Sequence, residues 1–245
     1  MLSRVILAGF CGLLLGVLPA TAQDEGMKWK VLSDQAVALA WQARYSEAAD
    51  MAQEALSEAE QAFGPEHPTV ALCLSNLAGL YHVLRRDAEA EPLIKRALTI
   101  REKAFGPNHR EVATSLNDLA GIYQTIGRHS EAEPLCLQAL SIREKALGPD
   151  DPVEVAQSLY LLAAIYEGQN RPNEAEPMYK RLVAILQAAP PPKERFLKAA
   201  LGSYATCLRS LGKFQEAGEM EAQAAAVVIP ASEGQQPAVE TRSHN

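Results

Sequence analysis

The sequence predicts an all-α fold, a right-handed superhelical solenoid of about five antiparallel helix pairs. Three observations carry that prediction. The chain repeats itself every 42 residues: between Ala71 and Pro107, 21 of 37 positions match the residue 42 places later. Within each repeat, apolar residues recur at i, i+3, i+4 and i+7, the period of a helix with one buried face. The composition, rich in Ala, Leu and Glu and only 6% aromatic, favours helix over sheet. At 48% hydrophobic and 22% charged the chain is too apolar to be disordered, and 245 residues suffice for a substantial core. A net charge of −7 leaves no basic footprint, so no nucleic acid is expected as a partner, and anionic membrane surfaces are disfavoured.

The first segment reads as an address. Residues 1–22, MLSRVILAGFCGLLLGVLPATA, carry Arg4, then an apolar run from Val5 to Leu18, then Pro19 and the small-x-small triplet Ala20-Thr21-Ala22. That is the layout of a cleavable secretory signal, with cleavage expected between Ala22 and Gln23. The run is short of the roughly 20 apolar residues of a spanning helix, so no membrane span is expected after cleavage. A periplasmic or extracellular location follows as an expectation. The exported chain keeps Cys73, Cys136 and Cys207. An odd number leaves at least one thiol free or paired between molecules. Cys136 and Cys207 fall on apolar helix faces, where a buried, inert thiol is expected.

The repeats occupy residues 29–228, in units of about 29–70, 71–112, 113–155, 156–196 and 197–228. A marker alanine recurs at Ala48, Ala90, Ala132, Ala175 and Ala217. In the third unit the first helix places Leu116, Leu119, Ala120 and Tyr123 on one face, and the second places Ala132, Leu135, Cys136, Ala139 and Leu140 on its own. Ser130 with Glu133, and Asn173 with Glu176, read as capping boxes for second helices. Gly148-Pro149 reads as a helix stop. Small residues at Ala36, Ala78, Ala120, Ala163 and Ala205 let two helix backbones approach closely, and Leu32, Leu74, Leu116, Leu159 and Leu201 fill the space between. One such pair cannot bury its apolar face alone, so the units must stack. Residues 229–245 lack periodicity and read as a disordered C-terminal tail.

The pattern L-x-x-L-A-x-x-Y, then E-A-E-P-L, A-L, I-R-E-K-A and G-P, resembles the tetratricopeptide repeat in its 42-residue kinesin light chain form. The first unit departs at Gln35 and Leu39, and the fifth at Leu208 and in its Ala-rich second helix. Those departures suggest end caps.

No catalytic residues, metal ligands or cofactor site are expected, and the chain is not expected to be an enzyme. HExxH, CxxC, GxSxG and phosphate-binding glycine loops are all missing from the sequence. His67 and His109 recur at the repeat spacing just after Gly-Pro, with Asp151 at the next such place, which points to a structural role where a helix begins. The charged run Arg101-Glu102-Lys103 reads as a solvated, ion-paired surface.

The resemblance implies a concave groove lined by the first helices, which binds a peptide or helix of another protein. Carried over position by position, the groove comprises Ser75, Asn76, Gly79 and His82, then Thr114, Asn117, Gly121 and Gln124, then Gln157, Tyr160 and Glu167, with Asp118 beside them. Asn and Gln suit the backbone of an extended peptide, and Gly79 and Gly121 leave room for close approach. Ser75, Gly79, Asn117 and Gly121 supply no cations, so a free C-terminal carboxylate finds no strong partner there. The expected function is a protein-interaction adaptor or scaffold. The alternatives are a self-associating structural protein and an accessory subunit of an envelope enzyme or transporter.

Overall fold

The computed structural model describes residues 20–229, with side chains from residue 27 onward. The leader and the tail lie outside the described residues except at their inner edges. Ten helices are described: α1 (Ala20–Trp41), α2 (Tyr45–Phe63), α3 (Pro68–Val83), α4 (Asp87–Phe105), α5 (Arg110–Thr125), α6 (His129–Leu147), α7 (Glu154–Gly168), α8 (Pro172–Ala188), α9 (Glu194–Ser210) and α10 (Phe214–Ala226). The Ala22–Gln23 bond falls inside α1.

Each pair is closed by a three-residue turn whose middle residue is left-handed: Ala43, Arg85, Gly127, Asn170 and Gly212, with φ between 57 and 82°. Glycine and asparagine take that conformation readily, whereas Ala43 and Arg85 hold it at a cost of about 1–2 kcal/mol each. These turns, rather than capping boxes, set where the second helices start. Arg128 and Arg171 occupy the N-cap positions of α6 and α8 and make no side-chain cap bond. The expected capping boxes at Ser130 and Asn173 are therefore not formed: both residues lie inside a helix already begun. Glu133 instead accepts from Gln169 and Arg171 of the next unit, and Glu176 pairs with Lys213.

The first helices begin as the repeat spacing suggests. His67 and His109 are the N-caps of α3 and α5, each Nδ1 accepting from a backbone amide two residues on, Thr69 or Glu111, at 3.2 Å. Each imidazole stacks on the last aromatic of the preceding helix, Phe63 or Phe105. Asp151 does the same work ahead of α7, accepting from the amides of Val153 and Glu154. The connections at 64–67 and 106–109 thus divide the units a few residues earlier than the sequence units, whose 70/71 and 112/113 boundaries fall inside α3 and α5. Periodicity fixes the period of a repeat but not its phase.

Every helix packs on its neighbours in sequence, and α3, α5 and α7 also touch one another directly. Elements that meet across units in this way lie on the inside of a curve, so α3, α5 and α7 form the inner layer. The marker alanines are fully buried at all five sites, as are Leu74, Leu159 and Leu201, each contributing about 1.5–3 kcal/mol over exposure. Arg86, Arg128 and Arg171 lie over the rings of Tyr81, Tyr123 and Tyr166 at 4.1, 4.0 and 4.7 Å. Each pairs with a glutamate three residues on. Arg128 also reaches Glu91, and Arg171 reaches Glu133, in the unit before. The same arginine thus closes its own pair and clamps it to the last. Cys73, Cys136 and Cys207 are all buried and unpaired, and burial pushes their thiols up to about 12, 12 and 11.

Candidate functional site: the inner face

On α5 the residues left half-buried are Glu111, Thr114, Asn117, Asp118, Gly121, Gln124 and Thr125. They form one stripe at helical spacing, opposite the buried stripe of Leu116, Leu119 and Tyr123. The equivalent stripes on α3 and α7 carry Asn76, Gly79 and His82, and Gln157, Tyr160 and Glu167. These stripes lie at equivalent registers of three consecutive units. A Cβ built on Gly79 or Gly121 would meet nothing within 4 Å, so neither glycine is there for helix packing.

Ser75 does not belong to that surface. It is fully buried, and its hydroxyl accepts from Arg101 Nη1 at 3.0 Å. The same guanidinium nitrogen donates to Ser115 Oγ at 2.6 Å, and Arg101 Nε lies 3.5 Å from Glu111. Arg143 repeats the arrangement one unit on, bonding Ser158 Oγ at 2.7 Å and the Glu154 carbonyl at 2.9 Å. With exposures of 2% and 3%, these two arginines correct the expectation of a solvated charged surface. Burial lowers the pKa of each guanidinium against the pull of nearby carboxylates, yet an arginine remains charged.

Several inner-face side chains stitch one unit to the next. Asn76 donates to Ser33 Oγ, Ser158 donates to Asn117 Oδ1, and Tyr160 shares a hydrogen bond with Ser203. Tyr160 also packs edge-on against Tyr179 and Phe196. His82 Nδ1 sits 2.5 Å from Asp87 Oδ1, and Glu167 accepts from Tyr179 Oη at 2.8 Å, burial raising its carboxyl. Thr114 bonds back to the Arg110 carbonyl, and Gln124 accepts from Thr125. Much of the polarity of these residues therefore serves the solenoid itself.

Asp118 stands apart. Its Oδ2 is out of solvent and has no hydrogen-bond partner, although the residue as a whole is half-buried. Burial pushes its carboxyl up to about 6, against the attraction of Arg101, Arg143 and His82. Among the described residues no cluster of His, Cys, Asp or Glu has the makings of a metal site, and no helix is long and apolar enough to cross a membrane.

Comparison with known proteins agrees with this architecture. The family model for the tetratricopeptide repeat matches residues 30–103, 74–145 and 111–188. Among solved structures, a kinesin light chain of nearly identical TPR-like repeats from Podosopora anserina superposes with a TM-score of 0.68 at 22% identity, over 90% of this chain and 100% of that one. BtubC (BKLC) from P. vanneervenii gives 0.70 at 21% identity, over 92% and 94%. A Rap protein complexed with competence and sporulation factor gives 0.69 at 17% identity, over 84% of this chain and 56% of that one. No curated protein sequence matches the chain.

Proposed function

The chain belongs to the tetratricopeptide repeat family, in its kinesin light chain form, and from that premise we propose that it is a non-enzymatic adaptor or scaffold holding a peptide or helix of another protein along its inner face. The fold class itself supports protein–protein interaction. The observation that carries the finer reading is the open space over Gly79 and Gly121, at the same register of adjacent units and flanked by Asn76, His82, Thr114, Asn117, Gln124, Gln157, Tyr160 and Glu167. A backbone can approach a helix at glycine more closely than anywhere else, and the flanking amides and hydroxyls supply donors and acceptors to an extended chain. The Rap protein whose solved structure contains competence and sporulation factor shares this fold, which makes ligand holding a use the architecture permits. Export by way of the leader in residues 1–22 places the partner in the periplasm or outside the cell.

The test is affinity capture from envelope extract with the wild-type chain beside Gly121→Trp. The indole enters open space, so helical content by circular dichroism is expected to stay unchanged while the captured partner is lost. A partner retained equally by both would refute the inner-face reading.

A further inference from the structure

Each internal junction of the solenoid packs the even-numbered helix of one unit on the odd-numbered helix of the next, and the residues that meet recur at fixed registers. At one end of the α6–α7 junction the His129 imidazole lies so close over Gly168 that a Cβ there would collide with it, whereas the same two registers of the α2–α3 junction hold larger side chains, Tyr45 and Val83. At the other end Arg143 meets Glu154 and Ser158, as Arg101 meets Glu111 and Ser115 in the α4–α5 junction. Midway along the α8–α9 junction, Tyr179 stacks on Tyr204. In that junction the arginine, glutamate and serine registers hold Leu186, Phe196 and Ala200. Leu186 and Ala200 are fully buried and Phe196 is partly so. This chain therefore already uses an apolar set in place of the ionic one.

Among the described residues, the same registers at the two ends of the solenoid are apolar and exposed. At the α10 end Phe214 occupies the His129 register and Val228, just past the helix, the Arg143 register, with exposures of 71% and 80%. On α1 Trp41 occupies the Gly168 register, and Met27 and Val31 the Glu154 and Ser158 registers, with exposures of 63%, 60% and 52%. The replacements match across the gap. Valine stands for the arginine at one end, and methionine and valine stand for its glutamate and serine at the other. At the Tyr179–Tyr204 register the ends carry Glu221 and Gln35, polar facing polar. A unit that ends a solenoid in solvent needs a polar outer face, and on α1 the exposed Met27, Val31 and Trp41 flank its polar Asp34 and Gln35.

We propose that copies of this chain associate head to tail, the α10 end of one packing on α1 of the next in the register of the internal junctions. The partner is a second copy, and the inner face continues from one molecule into its neighbour. Such a contact is heterologous, so it propagates instead of closing on a two-fold axis. Removal of residues 1–22 leaves the whole α1 surface from Met27 to Trp41 in place.

Sedimentation velocity of the full chain over a wide concentration range tests this. The weight-average mass is expected to rise past that of two chains. Trp41→Glu and Phe214→Glu, both at exposed positions and checked for helicity, are each expected to sediment as single chains. Mixed in equal amounts they are expected to form a two-chain particle and nothing larger, because each retains one intact end. Val228→Asp, beyond the last helix, is expected to reproduce the Phe214→Glu result without altering a helix. A single-chain mass at every concentration would overturn the proposal. So would a Trp41→Glu variant that is monomeric while Phe214→Glu assembles like wild type, since that pattern belongs to a two-fold contact between α1 helices.

Discussion

Replacing Asp118 with asparagine is expected to stabilise the protein at neutral pH. The carboxyl stands at about 6 in the folded chain against an ordinary 3.8, so the folded state holds a proton over a range where the unfolded chain has lost it. The group's contribution is therefore most favourable below about pH 4, is lost as pH rises through 6, and stays lost above. The full difference corresponds to about 3 kcal/mol against the ionised form. Asp118 is only half-buried, and solvent screening reduces the expected gain to about 1 kcal/mol. The amide also has a ready partner. Asn76, at the same register one unit earlier, donates to Ser33, and Ser75 stands at the Ser33 register. Urea unfolding of wild type and Asp118→Asn at pH 7.5 and pH 4 measures the difference while cancelling the other carboxylates. The variant is expected to gain about 1 kcal/mol, or about 2–4 °C in Tm, at pH 7.5 and little at pH 4. If it is less stable at pH 7.5, the ionised carboxylate is balanced by Arg101 and Arg143, and the reasoning from burial is wrong.

Two further substitutions probe the junctions and the helix starts. Arg143→Ala removes the bonds to Ser158 and the Glu154 carbonyl and is expected to cost about 3 kcal/mol by urea unfolding; Arg143→Leu, which copies Leu186 at the same register, is expected to cost less. His109→Ala removes the amide acceptor at the start of α5 and is expected to cost about 1 kcal/mol, whereas His109→Asp, which copies Asp151, is expected to retain wild-type stability in the same measurement.

The repeat made much of this molecule legible because one chain supplies five versions of each position. The alanines at 48, 90, 132, 175 and 217 had to be a packing site, since no surface position stays so small in every copy. His67 and His109 were readable for the same reason: recurrence at 42 residues, with Asp151 next, indicates a common task at a helix start. The buried arginines were not read from I-R-E-K, where the arginine sits beside two charges that are exposed. The signal was present one step further out, because Arg101 and Arg143 share their register with Ala59 and Leu186, both buried. Ser75 was placed in the groove because its register is inner-facing in other units, as at Asn117 and Tyr160. Only the arriving guanidinium of Arg101 draws it into the core. The capping boxes failed for a reason of phase. The left-handed residue in each three-residue turn starts the next helix before Ser130 or Asn173, and that backbone conformation leaves little trace when Ala43 or Arg85 adopts it.

The junctions divide into two chemical kinds, and the division follows position along the chain. The central pair, α4–α5 and α6–α7, hold a buried guanidinium that meets specific serine hydroxyls at 2.6 and 2.7 Å and a carboxylate at 3.5 Å. A displaced register would leave that charge buried without partners, at a cost of several kcal/mol, so these junctions reject a neighbour that lacks the glutamate and serine. The outer pair use Ala59 with Cys73, and Leu186 with Phe196 and Ala200, contacts that depend on shape and apolar area and make no demand on hydrogen-bond geometry. Met27, Val31 and Val228 belong to the second kind. Charged side chains at the ends would be hydrated in the separate molecule and would have to shed that water on contact, whereas an apolar pair adheres without that cost. The ionic register in the middle and the apolar ends are therefore suited to different tasks, the first to fixing the packing register within a chain and the second to contact between chains.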